Sequence, residues 1–239
     1  MNERLTLEGL TCLVTGASRG IGRATAVALA ERGAQVLAMA RSQDALHELN
    51  RECGARPLVV DLTDDTSIWA VIDELAESAD GIPDVVVNAA GVFDIEACSR
   101  TTVSSFEEHF MINLRAPFLL MRAVLPEMLK RGSGLIVNIG SIAGRRAFPG
   151  NGAYSASKYG LRGLHEVLVE EIRGTGVFAS LIEPAATNTT LWDKLNPDAS
   201  PDLPNRIDML TPEQVADAVL FVVTRPEGVT VPHLAVERG

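Results

Sequence analysis

In the segment YSASK, Tyr154 and Lys158 stand four residues apart. On an α-helix that spacing puts both side chains on one face. An ammonium beside a phenol favours the phenolate and lowers the tyrosine pKa, which makes a general acid or base usable near neutral pH. The chain has only two tyrosines and three lysines, so the spacing carries information, although an ordinary surface pair has the same form. Ser141 closes the apolar run GLIVNIGS upstream of this pair. Its hydroxyl can hold a substrate carbonyl beside the tyrosine, or it can serve as a turn or capping residue.

The second chemistry-bearing stretch is TGASRGIG, residues 15–22, with Gly16, Gly20 and Gly22 between an apolar run and a helical pattern. That is where a helix N-terminus can face a pyrophosphate. Gly16 allows the tight turn, Gly20 lets the backbone approach phosphate, and Gly22 lets the helix pack close to the sheet. Ser18 and Ile21 supply side-chain or backbone donors, as does Thr15. The next strand candidate ends in MARS, so Arg41 and Ser42 stand where an NAD site carries an acidic residue for the ribose 2′-hydroxyl. An arginine there pairs with the 2′-phosphate of NADP. Arg19, inside the glycine turn, is placed to close on the same phosphate. The alternative for both arginines is solvated surface charge.

The elements that position these residues alternate between short apolar runs and longer helical patterns. Strands are expected at 11–16, 34–40, 56–62, 83–91, 134–141, 177–184 and near 229–235. Helices are expected at 20–32, 43–53, 64–79, 104–131, 153–174 and 212–223. Strands apolar on both faces, separated by helices, predict an α/β class: one Rossmann-like, doubly wound parallel sheet with helices on both faces, spanning residues 1–239 as a single domain. Its ligands bind at the carboxyl ends of the strands. Residues 184–212, with five prolines and few apolar residues, read as a substrate lid or a linker, and the lid is preferred from its place between a strand and a helix.

Hydrophobic residues make up 46% of the chain and charged residues 22%, a globular balance. The net charge of −10 argues against a nucleic-acid partner. No apolar stretch is long enough to span a bilayer, and residues 1–10 lack the apolar core of a signal peptide. Cys12, Cys53 and Cys98 are odd in number with no C-x-x-C spacing, which points to a reducing cytoplasm. His47, His109, His165 and His233 are scattered, so no metal is expected. Asp64 and Asp65 read as helix-capping residues. Phe106, Phe110, Leu114, Phe118 and Met121 read as core or interface, with core the default.

TGASRGIG at 15–22, NAAG at 88–91, Asn113 in MINL, Ser141 and YSASK at 154–158 occur in this order over nearly the whole chain, which resembles the short-chain dehydrogenase/reductase family. The resemblance implies a catalytic tetrad of Asn113, Ser141, Tyr154 and Lys158. Tyr154 would protonate the carbonyl oxygen as NADPH delivers hydride. Ser141 would orient the carbonyl. Lys158 would bind the nicotinamide ribose, and Asn113 would hold a relay water. The cofactor NADP(H) would also meet Asp61, Leu62, Asn88, Ala89, Gly91, Pro184, Thr187 and Thr189. A homodimer or homotetramer is implied, with the long helices at 104–131 and 153–174 in contact.

The chain departs from the family where PAATNT replaces the usual P-G-x-V-x-T, with Ala185 for the expected glycine. Its tail also lacks the family's D-G-G strand and resembles the branch that acts on small hydroxy acids. Substrate candidates are Ser141, Phe93, Arg145, Phe148, Leu191 and Trp192, with Ile142 and Pro184 beside them. Arg145 and Arg146 offer a carboxylate site, or are exposed loop charges. The expected activity is hydride transfer between NADPH and a small ketone, aldehyde or hydroxy/keto acid. The competing class is a non-catalytic dinucleotide sensor on the same fold, against which Tyr154 and Lys158 both stand. A sugar epimerase of the extended branch shares the Tyr-x-x-x-Lys spacing but needs a separate substrate domain for which there is no room.

Overall fold

The structure, a computed structural model, describes residues 6–78, 81–226 and 228–239. The first five residues of the leader reading, and residue 79 at the expected end of one helix, lie outside the described residues. Seven parallel strands form one sheet in the order β3-β2-β1-β4-β5-β6-β7. They are β1 (Thr11–Thr15), β2 (Gln35–Ala40), β3 (Arg56–Val59), β4 (Val85–Asn88), β5 (Gly134–Ile139), β6 (Val177–Pro184) and β7 (His233–Val236). The order reverses between β1 and β4, which opens a crevice at their carboxyl ends.

Strand alternation sends successive side chains to opposite faces, and both faces are covered. Val14, Val85 and Val87 pack on one side with Leu29 of α1 (Gly20–Ala30), Leu46 and Leu49 of α2 (Gln43–Cys53) and Val219 of α7 (Pro212–Val223). Leu13, Val86 and Ile136 pack on the other with Ile68 of α3 (Asp65–Glu77), Leu120 and Met128 of α5 (Ala116–Arg131) and Leu168 of α6 (Gly152–Glu171). Two helix starts are capped by side chains: at α3, Asp64 Oδ1 accepts from Thr66 N at 3.0 Å, and at α7, Thr211 and Gln214 form a reciprocal capping box.

The helix expected over 104–131 is three pieces. α4 (Val103–Phe110) runs into a π-helical turn, Met111–Arg115, and continues as α5. The wider turn points Asn113 inward, where it is fully buried. The default core assignment for the aromatic set on these helices holds for Met121, 3% exposed, and fails for Phe106 and Phe118, which are 43% and 44% exposed. β3 and β4 are shorter than expected, because the residues after Val59 and Asn88 turn away along the crevice floor. Residues 184–212 hold three short 3₁₀ segments, Thr190–Leu195, Pro197–Ala199 and Arg206–Asp208. Arg206 folds this stretch onto itself through Asn188 Oδ1 and Asp193 Oδ1, each at 2.7 Å. Among the described residues, no helix is long and apolar enough to cross a membrane.

Candidate active site

A cavity of about 1070 Å³ runs along the carboxyl ends of the strands. Its floor at one end is the glycine turn between β1 and α1. Gly16 takes φ +67°, and a Cβ there would come within 2.7 Å of Ala90 Cα. A Cβ on Gly22 would sit 2.4 Å from Gly16 O, so only glycine lets α1 pack this tightly on the turn. Thr15 Oγ1 accepts from Ala89 N and Ala90 N, both at 3.1 Å, and clamps β1 to the end of β4. Gly16, Ser18, Arg19, Gly20 and Ile21 line the cavity, as do Arg41, Ser42, Leu62, Ala89 and Gly91. Ser42 also caps α2, accepting from Ala45 N at 3.4 Å. The bare backbone cradle, the N-terminus of α1 and two exposed guanidiniums fit a phosphorylated dinucleotide.

At the other end the cavity meets Ser141, Tyr154 and Lys158. Ser141 follows β5 in extended backbone, and its Oγ accepts from Ala143 N at 3.1 Å. Tyr154 lies in the first turn of α6. Burial raises its pKa above the ordinary value, and a hydrogen bond with the Ser141 hydroxyl acts against that. Lys158, one turn on, donates from Nζ to Ile139 O at 2.8 Å, and burial pushes it down to about 8. Its Nζ lies 5.8 Å from the Tyr154 ring centre. The expectation that Lys158 lowers the Tyr154 pKa is therefore corrected in this geometry. The lowering contact is Ser141, and Lys158 is itself held towards neutrality by burial.

Four expected cofactor or catalytic residues sit just outside the cavity wall. Asn113 Oδ1 accepts from Val92 N at 2.9 Å, while Nδ2 donates to Val92 O and Ser157 Oγ, both at 3.0 Å. Its side chain thus ties the loop after β4 to α6 and has no donor left over for a water. Asn88 Nδ2 donates to Asn138 Oδ1 at 2.8 Å on the neighbouring strand. Asp61 turns to Thr63, accepting from its N at 2.9 Å and its Oγ1 at 2.8 Å, and this holds its carboxyl below the usual range. Gly22 lies beneath the turn and not on its surface.

The carboxylate site expected at Arg145 is overturned by a fully buried glutamate. Glu183, the penultimate residue of β6, is 0% exposed. Arg145 Nε lies 3.2 Å and His233 Nε2 2.6 Å from its Oε2, and Arg162 Nη1 lies 3.4 Å from its Oε1. Arg145 also pairs with Glu237. Its charge is engaged by these two carboxylates, and it does not line the cavity. Ala185 takes the family's glycine position without a positive φ, and its N donates to Val236 O at 2.8 Å, so the extra methyl is accommodated. Pro184, Thr187 and Thr189 line the cavity beside it.

The wall above Ser141 is aromatic. The Phe93 ring stands 4.8 Å from the Tyr154 ring, edge to face, and 4.8 Å from the Trp192 ring. Phe148, Leu191 and Ile142 complete the expected lining. Ile95, Glu108, Asp202, Leu203 and Pro204 also line it and were not expected. The last three fall within the 184–212 stretch, whereas Glu108 shows no sequence signal without knowing which way α4 faces. Among the described residues, no cluster of three or more His, Cys, Asp and Glu side chains is placed to hold a metal ion.

The profile of the short chain dehydrogenase family matches residues 10–200. The chain belongs to the short-chain dehydrogenase/reductase family. It is 32% identical over 228 residues to the 3-oxoacyl-[acyl-carrier-protein] reductase FabG of Thermotoga maritima, covering 92% of each chain. It is 33% identical over 240 residues to the glycine betaine reductase ATRR of Emericella nidulans, where the match takes in 97% of this chain and 19% of that far longer protein. Among solved structures, a metagenomic short-chain oxidoreductase in complex with NADP superposes with a TM-score of 0.83 at 32% identity, covering 98% of each chain.

Two measurements probe how this short-chain dehydrogenase holds its site. Glu183→Gln removes the charge that Arg145 and Arg162 face, and we expect chemical denaturation to show a loss of about 2–4 kcal/mol. Lys158 binds its proton more weakly folded than unfolded. Between about 8 and its ordinary 10.5 the unfolded chain therefore carries the extra proton, and stability rises with pH. Relative to Lys158→Met, the unaltered chain gains about 2 kcal/mol as the pH goes from about 7.5 to about 9.5, read from denaturant midpoints at each pH.

Proposed function

We propose that this chain is an NADP(H)-dependent oxidoreductase that moves hydride between NADPH and the carbonyl carbon of a ketone or aldehyde, or the reverse from a secondary alcohol. The observation that carries this reading is the gathering of Ser141, Tyr154 and Lys158 at one end of a cavity whose other end is the glycine turn with Arg19 and Arg41. A dinucleotide sensor has no use for a buried acid–base pair beside an aromatic substrate wall.

When bound, the nicotinamide supplies the hydride. The chain's own groups do the rest. Tyr154 Oη holds the proton that passes to the carbonyl oxygen, and the raised pKa keeps that proton in place until the oxygen becomes basic. Ser141 Oγ donates to the same oxygen and fixes the carbonyl plane. Lys158 has two donors beyond Ile139 O, and these are directed to the nicotinamide ribose. Asn113 positions the pair through Ser157, one residue before Lys158. Arg19 and Arg41 receive the 2′-phosphate, and the backbone of Gly20 and Ile21 receives the pyrophosphate. The 184–212 stretch closes over the substrate through Leu191 and Trp192. The exposed Phe106 and Phe118 are covered by a second copy of the chain in a homo-oligomer.

Tyr154→Phe keeps the ring contact with Phe93 and loses the proton. NADPH oxidation with a responsive carbonyl should fall at least about a thousandfold, with NADPH affinity unchanged, as read by turnover and by nucleotide fluorescence. Removing both guanidiniums in Arg19→Ala/Arg41→Ala should raise the KM for NADPH about a hundredfold and that for NADH little, which closes the gap between the two.

A further inference from the structure

The cofactor end and the substrate end of the cavity differ in charge. Arg19 and Arg41 line the first. The other charged lining side chains besides Lys158 are Glu108 and Asp202, both exposed. Lys158 lies between, buried and already bonded to Ile139 O. Arg145 is held by Glu183 and Glu237. Arg146 does not line the cavity, and its guanidinium lies over the Phe148 ring, 5.3 Å from its centre. Beyond the cofactor end, an anionic substrate would therefore meet two solvent-exposed carboxylates and no cation that is not already engaged.

The apolar surface has a shape as well as a sign. Phe93 stands against both Tyr154 and Trp192 with tilted or perpendicular planes, so a second flat body entering beside Ser141 finds ring faces and edges on two sides. Ile95, Leu203 and Pro204 add further apolar lining to the cavity. A ring buries area against all three aromatics at low conformational cost, whereas a flexible acyl chain must be ordered to do so.

We propose that this site takes an uncharged, ring-bearing ketone or its secondary alcohol, aryl or alicyclic, and rejects carboxylates and phosphate esters. This rests on the oxidoreductase reading and names the substrate class within it. Selection comes from two sources. Trp192 and Phe93 favour the ring, and Glu108 with Asp202 repels the anion.

The test uses the full chain with NADPH and a matched set: acetophenone, its para-carboxylate and its para-trimethylammonium derivative, with butanone and a 3-oxoacyl thioester for comparison. We expect kcat/KM for acetophenone to exceed that for the carboxylate at least about tenfold, with the cation between them. Trp192→Ala should raise KM about tenfold for acetophenone and little for butanone. Glu108→Gln/Asp202→Asn should narrow the gap between neutral and carboxylate substrates. If the carboxylate or the thioester is the better substrate, or the double substitution leaves the gap unchanged, the proposal is overturned while NADPH consumption keeps the oxidoreductase reading intact. If no member of the set, nor a panel of simple aldehydes, consumes NADPH, the oxidoreductase reading falls and takes this proposal with it.

Discussion

A carboxylate removed from water needs partners, and Glu183 finds them on three other parts of the chain. It lies at the end of β6, fully buried. Arg145 comes from the segment after Ser141, Arg162 from α6 one turn beyond Lys158, and His233 from β7. Each of those segments carries or abuts a working part of the site: the hydroxyl, the tyrosine–lysine pair and the turn beginning at Pro184. Meeting the charge of Glu183 fixes their mutual distance. The reacting groups need no direct strong bonds among themselves, because the charge cluster behind them sets the frame.

That arrangement also explains which features were legible from sequence. α2 matches its expected bounds, Gln43–Cys53, because Ser42 and Gly54 mark its ends with local chemistry. β6 matches because an apolar run ends at Pro184. The glycine turn, Ser141, Tyr154 and Lys158 were legible because their spacing is local, and the sheet brings their segments together. Arg145 was not, since the acid that captures it lies on another strand and no local pattern announces the pairing. The break in the long helix was equally silent, because a π turn changes hydrogen-bond register without changing composition. Phe106 and Phe118 looked like core because aromatic type says nothing about which side of a helix is covered.

The cavity combines two environments along one trough. At the glycine end, exposed guanidiniums and helix-terminal N–H groups create a positive field. At the tyrosine end, burial dominates. It raises the phenol and lowers the ammonium, so both groups are pushed towards their neutral forms. A chain with a net charge of −10 thus concentrates positive field where a phosphate is to be held. At the reacting end the surroundings are largely protein, where hydrogen bonds count for more.

The π turn at Met111–Arg115 makes the length of the α4–α5 segment a matter of rotational phase. Each residue of a helix advances the direction of its side chains by about 100°. Ahead of the turn, His109 is buried; within it, Asn113 points to Val92 and Ser157; after it, Leu120, Val124 and Met128 face the sheet. Deleting one residue here would let the backbone close to an ordinary α turn, and Asn113 would lose the widened turn that aims it inward. The segment is therefore constrained in its number of residues as well as in the identity of Asn113.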